Sequence, residues 1–318
     1  MAISRAQMLK ELLPGLNALF GLEYEGYDSE HAEIYESENS DRSFEEEVKL
    51  SGFGQAPVKN EGAAMTYDSA QESFTARYNH ETIALGFAIT EEAMEDNLYD
   101  SLSSRYTKAL ARAMAYTKQV KAAFPLNNGF TNAYQSGDGV NLFTATGDGV
   151  AGGDGHPLVN GGKNSNRPVT AADLNETSLE AAIIDISGYT DERGLLVAGR
   201  ARKLIVPSNL MFVAQRILAT DLRPNTADND INAIKSLGVV PQGYSVNHYL
   251  TDTNAWFLLT DIPNGMKHFV RTPLETGMDG DFDTGNVRYR ARERYSLSLI
   301  HISEPTRRRG IYDAGVRM

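Results

Sequence analysis

One run limits what this chain can fold into more than any other. From Thr90 to Phe124, the apolar residues Met94, Leu98, Leu102, Tyr106, Leu110 and Met114 recur at every fourth position. That spacing predicts a helix with one apolar stripe. Thr90 is a suitable N-cap, and Glu91 and Glu92 suit the positive end of the helix dipole. Lys118 and Lys121 lie near the negative end, and Pro125 is expected to stop the helix. At ~1.5 Å per residue the run spans roughly 50 Å. A helix of that length is a spine crossing the whole subunit, and the rest of the chain must be arranged along it.

The remaining elements are short and mixed. Residues 1–22 read as an amphipathic helix carrying Met8, Leu9, Leu12 and Leu13, interrupted at Pro14-Gly15. Residues 48–75 hold Gly- and Pro-rich punctuation between short alternating runs, the pattern of a projecting β-hairpin. Residues 66–89 alternate loosely and read as strands, and 126–168 as loops. Thr170 to Gly188 predicts a second helix capped by Thr170 or Asp173, and Ser208 to Leu218 a third. Leu204–Pro207, Val239-Val240, Trp256–Leu259, His268–Arg271 and Val287–Ser296 predict strands. No regular βαβ repeat is present, so the fold class is α+β. The expected divisions are a helix and acidic arm over 1–47, a hairpin over 48–75, a unit holding the spine over 76–130, a mixed unit over 131–285 and a closing strand over 286–318.

Charge is strongly segregated. The chain of 318 residues has 30 Lys and Arg against 42 Asp and Glu, a net charge of −12. Between Glu23 and Glu47 there are eleven acids and one base, Arg42, which gives −10 for that stretch and leaves −2 for the rest. One reading is a solvated, extended arm. The other is an arm docking on a basic surface of another subunit through Glu45, Glu46 and Glu47. Tyr24, Tyr27, Ile34, Tyr35 and Phe44 favour docking, because a solvating tail needs few apolar anchors. A basic counterpart exists in Arg288, Arg290, Arg292 and Arg294, which share one face at strand period. They suit a carboxylate-binding strip or a solvated basic strand edge. Nucleic-acid binding is a third use, weakened by the acidic balance.

Composition excludes several chemistries. With no Cys, the chain makes no disulfide, iron–sulfur cluster or thiolate nucleophile. There is no apolar run of membrane-spanning length and no secretory pattern at Met1–Met8, so a cytoplasmic protein is expected. Gly147-Asp148-Gly149-Val150-Ala151-Gly152 fits a dinucleotide-loop spelling, but no helix is expected after it. Asp279, Asp281 and Asp283 start like a calcium loop, yet the sixth position is Thr284 and the twelfth Arg290. The six histidines have no metal-ligand spacing. No enzyme, cofactor or metal is therefore expected.

The order of elements resembles the major capsid proteins of tailed phages, which have the Hong-Kong-97-type fold, and most closely the Mu-like major head subunit branch. The stretches carrying the resemblance are Met1–Tyr24, Thr90–Pro125, Asp138-Gly139-Val140-Asn141-Leu142-Phe143 with His156-Pro157 and Asn164-Ser165-Asn166, Leu204–Leu210, Arg292–Ser296 and Arg309–Tyr312. The family's fold has an N-terminal arm, an extended hairpin loop, a spine helix, and mixed axial and peripheral domains. The resemblance implies hexamers and pentamers tiling an icosahedral shell around double-stranded DNA held without sequence-specific contact. It also implies a portal, assembly in the host cytoplasm and, lacking a long charged leader here, a separate scaffold protein. An encapsulin-like compartment enclosing cargo enzymes shares the fold and is the nearest alternative; a soluble α+β enzyme is a more distant one. The family's Lys–Asn crosslink is not implied, because Lys49 and Lys59 have no identified partners. One stretch departs from the family: Leu297 to Arg307 resembles the translation of a sequencing-library adapter.

Overall fold

The computed structural model describes residues 5–90, 92–93, 99–132, 135–147, 149, 154–223, 230–262, 265–281, 285–298 and 306–307. Helix α1 (Arg5–Glu25) lies along the spine helix α2 (Tyr99–Asn128). Both cover one face of a four-stranded sheet ordered β1-β10-β11-β4. In that sheet β1 (Glu36–Asn39) runs parallel to β10 (Lys267–Gly280), while β11 (Val287–Ser298) and β4 (Glu81–Ile89) continue antiparallel. Leu16 and Phe20 of α1, Leu110, Ala111 and Met114 of α2, and Tyr289 and Ala291 of β11 form the buried layer between helices and sheet. Asn17 Oδ1 accepts from the hydroxyls of Thr276 and Tyr289, both at 2.9 Å, which fixes α1 in register on the sheet.

Of the predicted stripe, Leu110 and Met114 are buried and Tyr106 is half exposed; Met94 and Leu98 lie outside the described residues. Thr90 Oγ1 accepts from the Ala93 amide at 3.3 Å, in the manner of a cap. Two prolines behave differently from expectation. Pro14 lies inside α1, and Pro125 lies inside α2, which continues to Asn128. An internal proline costs about 3 kcal/mol. Just beyond Pro125, Leu126 and Phe130 enter the core. Burying each contributes ~1.5–3 kcal/mol, which outweighs the proline.

A second sheet, ordered β12-β9-β7-β8, holds the strands β7 (Ala201–Val206), β8 (Tyr244–Val246), β9 (Trp256–Thr260) and β12 (Thr306–Arg307). Ile205, Phe257 and Leu259 pack with Ala122, Leu126 and Phe130 of the spine. Leu204, Val206, Trp256 and Leu258 pack with α3 (Glu176–Ser187), α4 (Met211–Ala219) and α5 (Ala233–Leu237). Helix α3 starts later than its composition implied. Asn175 and Ser178 form a reciprocal capping box there, and neither Thr170 nor Asp173 is the cap. Val239-Val240 is a turn rather than a strand, because Gly238 leaves α5 in the left-handed conformation with φ 60°.

The acidic stretch is not a free arm. Ile34 and Tyr35 are core residues, and Tyr35 donates to the Ala122 carbonyl at 2.8 Å. Gln119 on the spine accepts from the His31 amide at 2.9 Å and donates to the Asp28 carbonyl at 3.1 Å. At this joint the half-buried Lys118 of α2 meets the buried Glu293 of β11 at 2.6 Å and also donates to the Tyr24 hydroxyl at 2.9 Å. Burial alone would lower the Lys118 pKa, but Glu293 and Tyr24 outweigh it and hold the ammonium above its ordinary value. Burial pushes the Glu293 carboxyl up, with Lys118 opposing. The rings of His31 and His268 meet edge to face at 5.4 Å, and His268 meets Tyr295 at 5.0 Å. Burial and then the nearby cations lower His31 to about 4 and His268 to about 3.

Candidate inter-subunit surface

Strand β11 alternates from Val287 to Tyr295. Val287, Tyr289, Ala291, Glu293 and Tyr295 are buried, while Arg288, Arg290 and Arg292 are exposed and Arg294 is half-buried. All four arginines share the sheet face opposite the helices, as strand period requires. The strand is an interior one, flanked by β10 and β4, so the strip is not a basic edge. Across it, Arg288 stands between Ala88 and Asp279, and Arg290 between Gly86 and Gly277. Arg292 stands between Ala84 and Glu275, and Arg294 between Thr82 and Thr272. The β4 neighbours are therefore small and do not shield the guanidinium groups. A Cβ on Gly86 would lie 2.7 Å from the Tyr289 carbonyl oxygen, so a side chain there would force the two strands to shift. Arg288 pairs with Asp281. Among the described residues, Arg290 and Arg292 have no ion-pair partner, and the buried Nε–H of Arg294 donates to no hydrogen-bond partner.

The predicted acidic partners lie elsewhere. Phe44 to Glu47 belong to β2 (Phe44–Leu50), which pairs with β3 (Glu72–Asn79). Glu45 accepts from Ser40 at 2.5 Å, and Glu46 meets Arg77 at 2.5 Å. Glu47 meets Lys267 at 3.1 Å and accepts from the Ser298 hydroxyl. Glu30, Glu33 and Glu38 pair with His248, Lys203 and Lys267. Sequence reading found both charge blocks but not this pairing, because the bases involved are single residues scattered through distant elements. Within the chain, Glu45, Glu46 and Glu47 hold the hairpin base to the body and do not reach the arginine strip.

Strands β2 and β3 carry a long irregular connection. Its base is held by Lys49 to Glu192 at 2.5 Å and Arg193 to Asp68 at 2.9 Å, with Arg193 also donating to the Ser69 carbonyl at 3.0 Å. Residues 55–72 are all exposed. They include Val58 at 92% and Tyr67 at 89% exposure, and Met65 is also exposed. Such side chains outside any core are a feature of an interaction surface.

The residues that suggested chemistry are structural. Gly147 and Gly149 take positive φ in a loop, and the described chain after them enters the two-residue strand β5 (His156–Pro157), paired with β6 (Lys163–Asn164), and not a helix. The buried Asp138 and His156 meet at 2.6 Å. Burial would raise the Asp138 pKa, but hydrogen bonds from His156, Ser136 and Val140 prevail and lower it. Asn166 accepts from the Thr144 amide at 2.8 Å and donates to the Leu142 carbonyl at 2.6 Å. The Asp-Gly, His-Pro and Asn-x-Asn signatures thus tie one loop together. Among the described residues no group of acids and histidines could hold a metal, and no helix is long and apolar enough to cross a membrane.

The model of the family described as phage capsid protein matches residues 73–312. The chain belongs to this phage capsid family. Its fold is similar to a virus-like particle from Pyrococcus furiosus, at 10% identity and TM-score 0.52, covering 93% of this chain and 98% of that one. It is also similar to the capsid of an empty GTA particle, at 13% identity and TM-score 0.52, covering 87% and 88%. The capsid of Myoviridae phage XM1 matches at 12% identity and TM-score 0.50, covering 86% and 89%. No curated protein sequence matches. This capsid protein has the Hong-Kong-97-type α+β fold and is a structural subunit of a multi-subunit icosahedral phage head, located in the virion. The encapsulin-like alternative has no stronger support.

Proposed function

We propose that this major capsid subunit forms hexamers and pentamers that enclose double-stranded DNA. Assembly takes place in the host cytoplasm with a scaffold protein and a portal. The observation that carries this reading is the capsid-family match over most of a chain in which Arg290, Arg292 and the hairpin tip are exposed. Arg288, Arg290, Arg292 and Arg294 receive carboxylates of a neighbouring subunit, because a guanidinium pairs bidentately with a carboxylate. Glu45, Glu46 and Glu47 support that contact indirectly by fixing the hairpin base. The subunit's net charge of −12 suits a container that holds DNA without gripping it.

Electron microscopy of the chain co-expressed with the adjacent scaffold gene tests the reading. Closed particles with five- and six-fold capsomers are expected. A chain that stays monomeric beside its scaffold would overturn it.

A further inference from the structure

We infer that the solvent face of the spine helix α2 is the surface that meets the enclosed DNA, through phosphate contacts from Arg105, Lys108 and Arg112. The inference rests on the shell reading above and names the side of the subunit that faces the genome.

The helix is basic within an acidic chain. From Ser101 to Asn128 there are five bases and no acid, while the chain as a whole carries −12. Two of the five are used internally, Lys118 against Glu293 and Lys121 against Glu81. Arg105, Lys108 and Arg112 are exposed. At 3.6 residues per turn these three and Tyr116 fall within an arc of roughly 80°. Ser103, Thr107, Leu110 and Met114 occupy the opposite side and are buried, the last two against the sheet. Among the described residues, Arg105 and Arg112 have no ion-pair partner, and Lys108 has a loose contact with Glu23 at 3.9 Å. Tyr116 is exposed and meets Tyr249 edge to face at 5.8 Å. Tyr249 lies near both Arg112 and Glu30, and Glu30 is engaged by His248 at 2.6 Å.

The subunit thus carries two basic surfaces on opposite sides of one sheet, and their settings differ. The arginines of β11 are interleaved with Glu275, Asp279 and Asp281, a mixture of signs that suits a protein neighbour. The spine arc has no acid of its own helix beside it, and Ala109 and Ala113 stand between its cations. It offers charge and tyrosine hydroxyls with little apolar side chain to bury, which suits a phosphate backbone better than a protein surface. From Arg105 to Arg112 the helix rises roughly 10 Å, close to three steps of about 3.4 Å along one strand of a duplex. Such contacts carry no sequence information, as a container for any genome requires. Three per copy bind weakly, and repetition over the shell lines it with charge.

A photoprobe distinguishes the two surfaces. Ala109→p-benzoylphenylalanine, and separately Arg290→p-benzoylphenylalanine, are introduced into the full chain in a host that supplies the remaining phage proteins, and DNA-filled particles are irradiated. The expected result is covalent DNA adducts at position 109, exceeding those at position 290 by about tenfold or more. Adding Arg105→Ala with Arg112→Ala should lower the adduct yield at position 109 about fivefold, because two phosphate contacts are lost. Filled particles in which the position 109 probe joins protein instead of DNA, in which both positions give equal DNA adducts, or in which the arginine changes leave the yield unaltered, would overturn the inference and leave the shell reading standing. If the Ala109 replacement blocks assembly, Tyr116→p-benzoylphenylalanine on the same face carries the probe, with the same outcomes decisive. Wild-type particles that never contain DNA would overturn the DNA-enclosing reading, and this inference with it.

Discussion

Lys118 and Glu293 illustrate how single residues govern this subunit. Glu293 is buried and Lys118 half-buried against it, so removing the lysine leaves a buried, uncompensated carboxylate, at a cost of up to about 3–5 kcal/mol. Lys118→Met is expected to lower the urea midpoint by that equivalent, and Lys118→Met with Glu293→Leu to recover most of it. A double variant as unstable as the single one would contradict the pairing. Two histidines contribute to acid sensitivity. Their folded pKa values, about 4 for His31 and about 3 for His268, lie below the unfolded value of 6.5. The unfolded chain thus binds more protons below pH 6.5, and stability is complete above that value and falls as the pH drops. At pH 5 each histidine opposes folding by at most roughly 2 kcal/mol relative to pH 8. His268→Gln should flatten the decline in melting temperature between pH 8 and 5, and an unchanged slope would contradict this account. Neither effect was legible in the sequence. Glu293 stands between two arginines in a run that reads as basic, and its partner is on a distant helix.

At the scale of elements, periodicity carried what it could. The spine stripe and the alternation of β11 follow from 3.6- and 2-residue periods and are visible in the residues themselves. Where the reading failed, a tertiary contact prevailed over a local signal. Pro125 did not stop the spine, because Leu126 and Phe130 gain more by burial than the proline costs. The acidic stretch folded back because Ile34 and Tyr35 fill a core. The pairing of β1 with β10 is parallel and joins segments far apart in sequence, so no hairpin signal announces it. The arginine strip gives an element-level prediction. Arg290→Glu with Arg292→Glu changes two exposed residues, so the isolated subunit should keep its melting temperature while particle yield falls at least tenfold. Equal yield would remove the strip from the interface. The closing segment carries another prediction. Resequencing the gene with different library chemistry is expected to replace Leu297–Arg307, and an unchanged reading would establish the stretch as native.

The whole molecule leaves large features exposed among its described residues. An acidic body pairs most of the acids of its arm internally, yet presents a basic sheet face and a long exposed hairpin. A large interface built from such contacts holds a shell together without requiring a hyperstable monomer. Contacts between exposed guanidinium and carboxylate groups are screened over about 8–10 Å at ordinary ionic strength, so assembly should weaken as salt rises. Sedimentation velocity of the purified chain with its scaffold, across protein concentration and salt, tests the central claim. The account predicts species of hexamer size or larger that dissociate with added salt. A compact monomer at every concentration, with scaffold present and the closing segment verified, would contradict it.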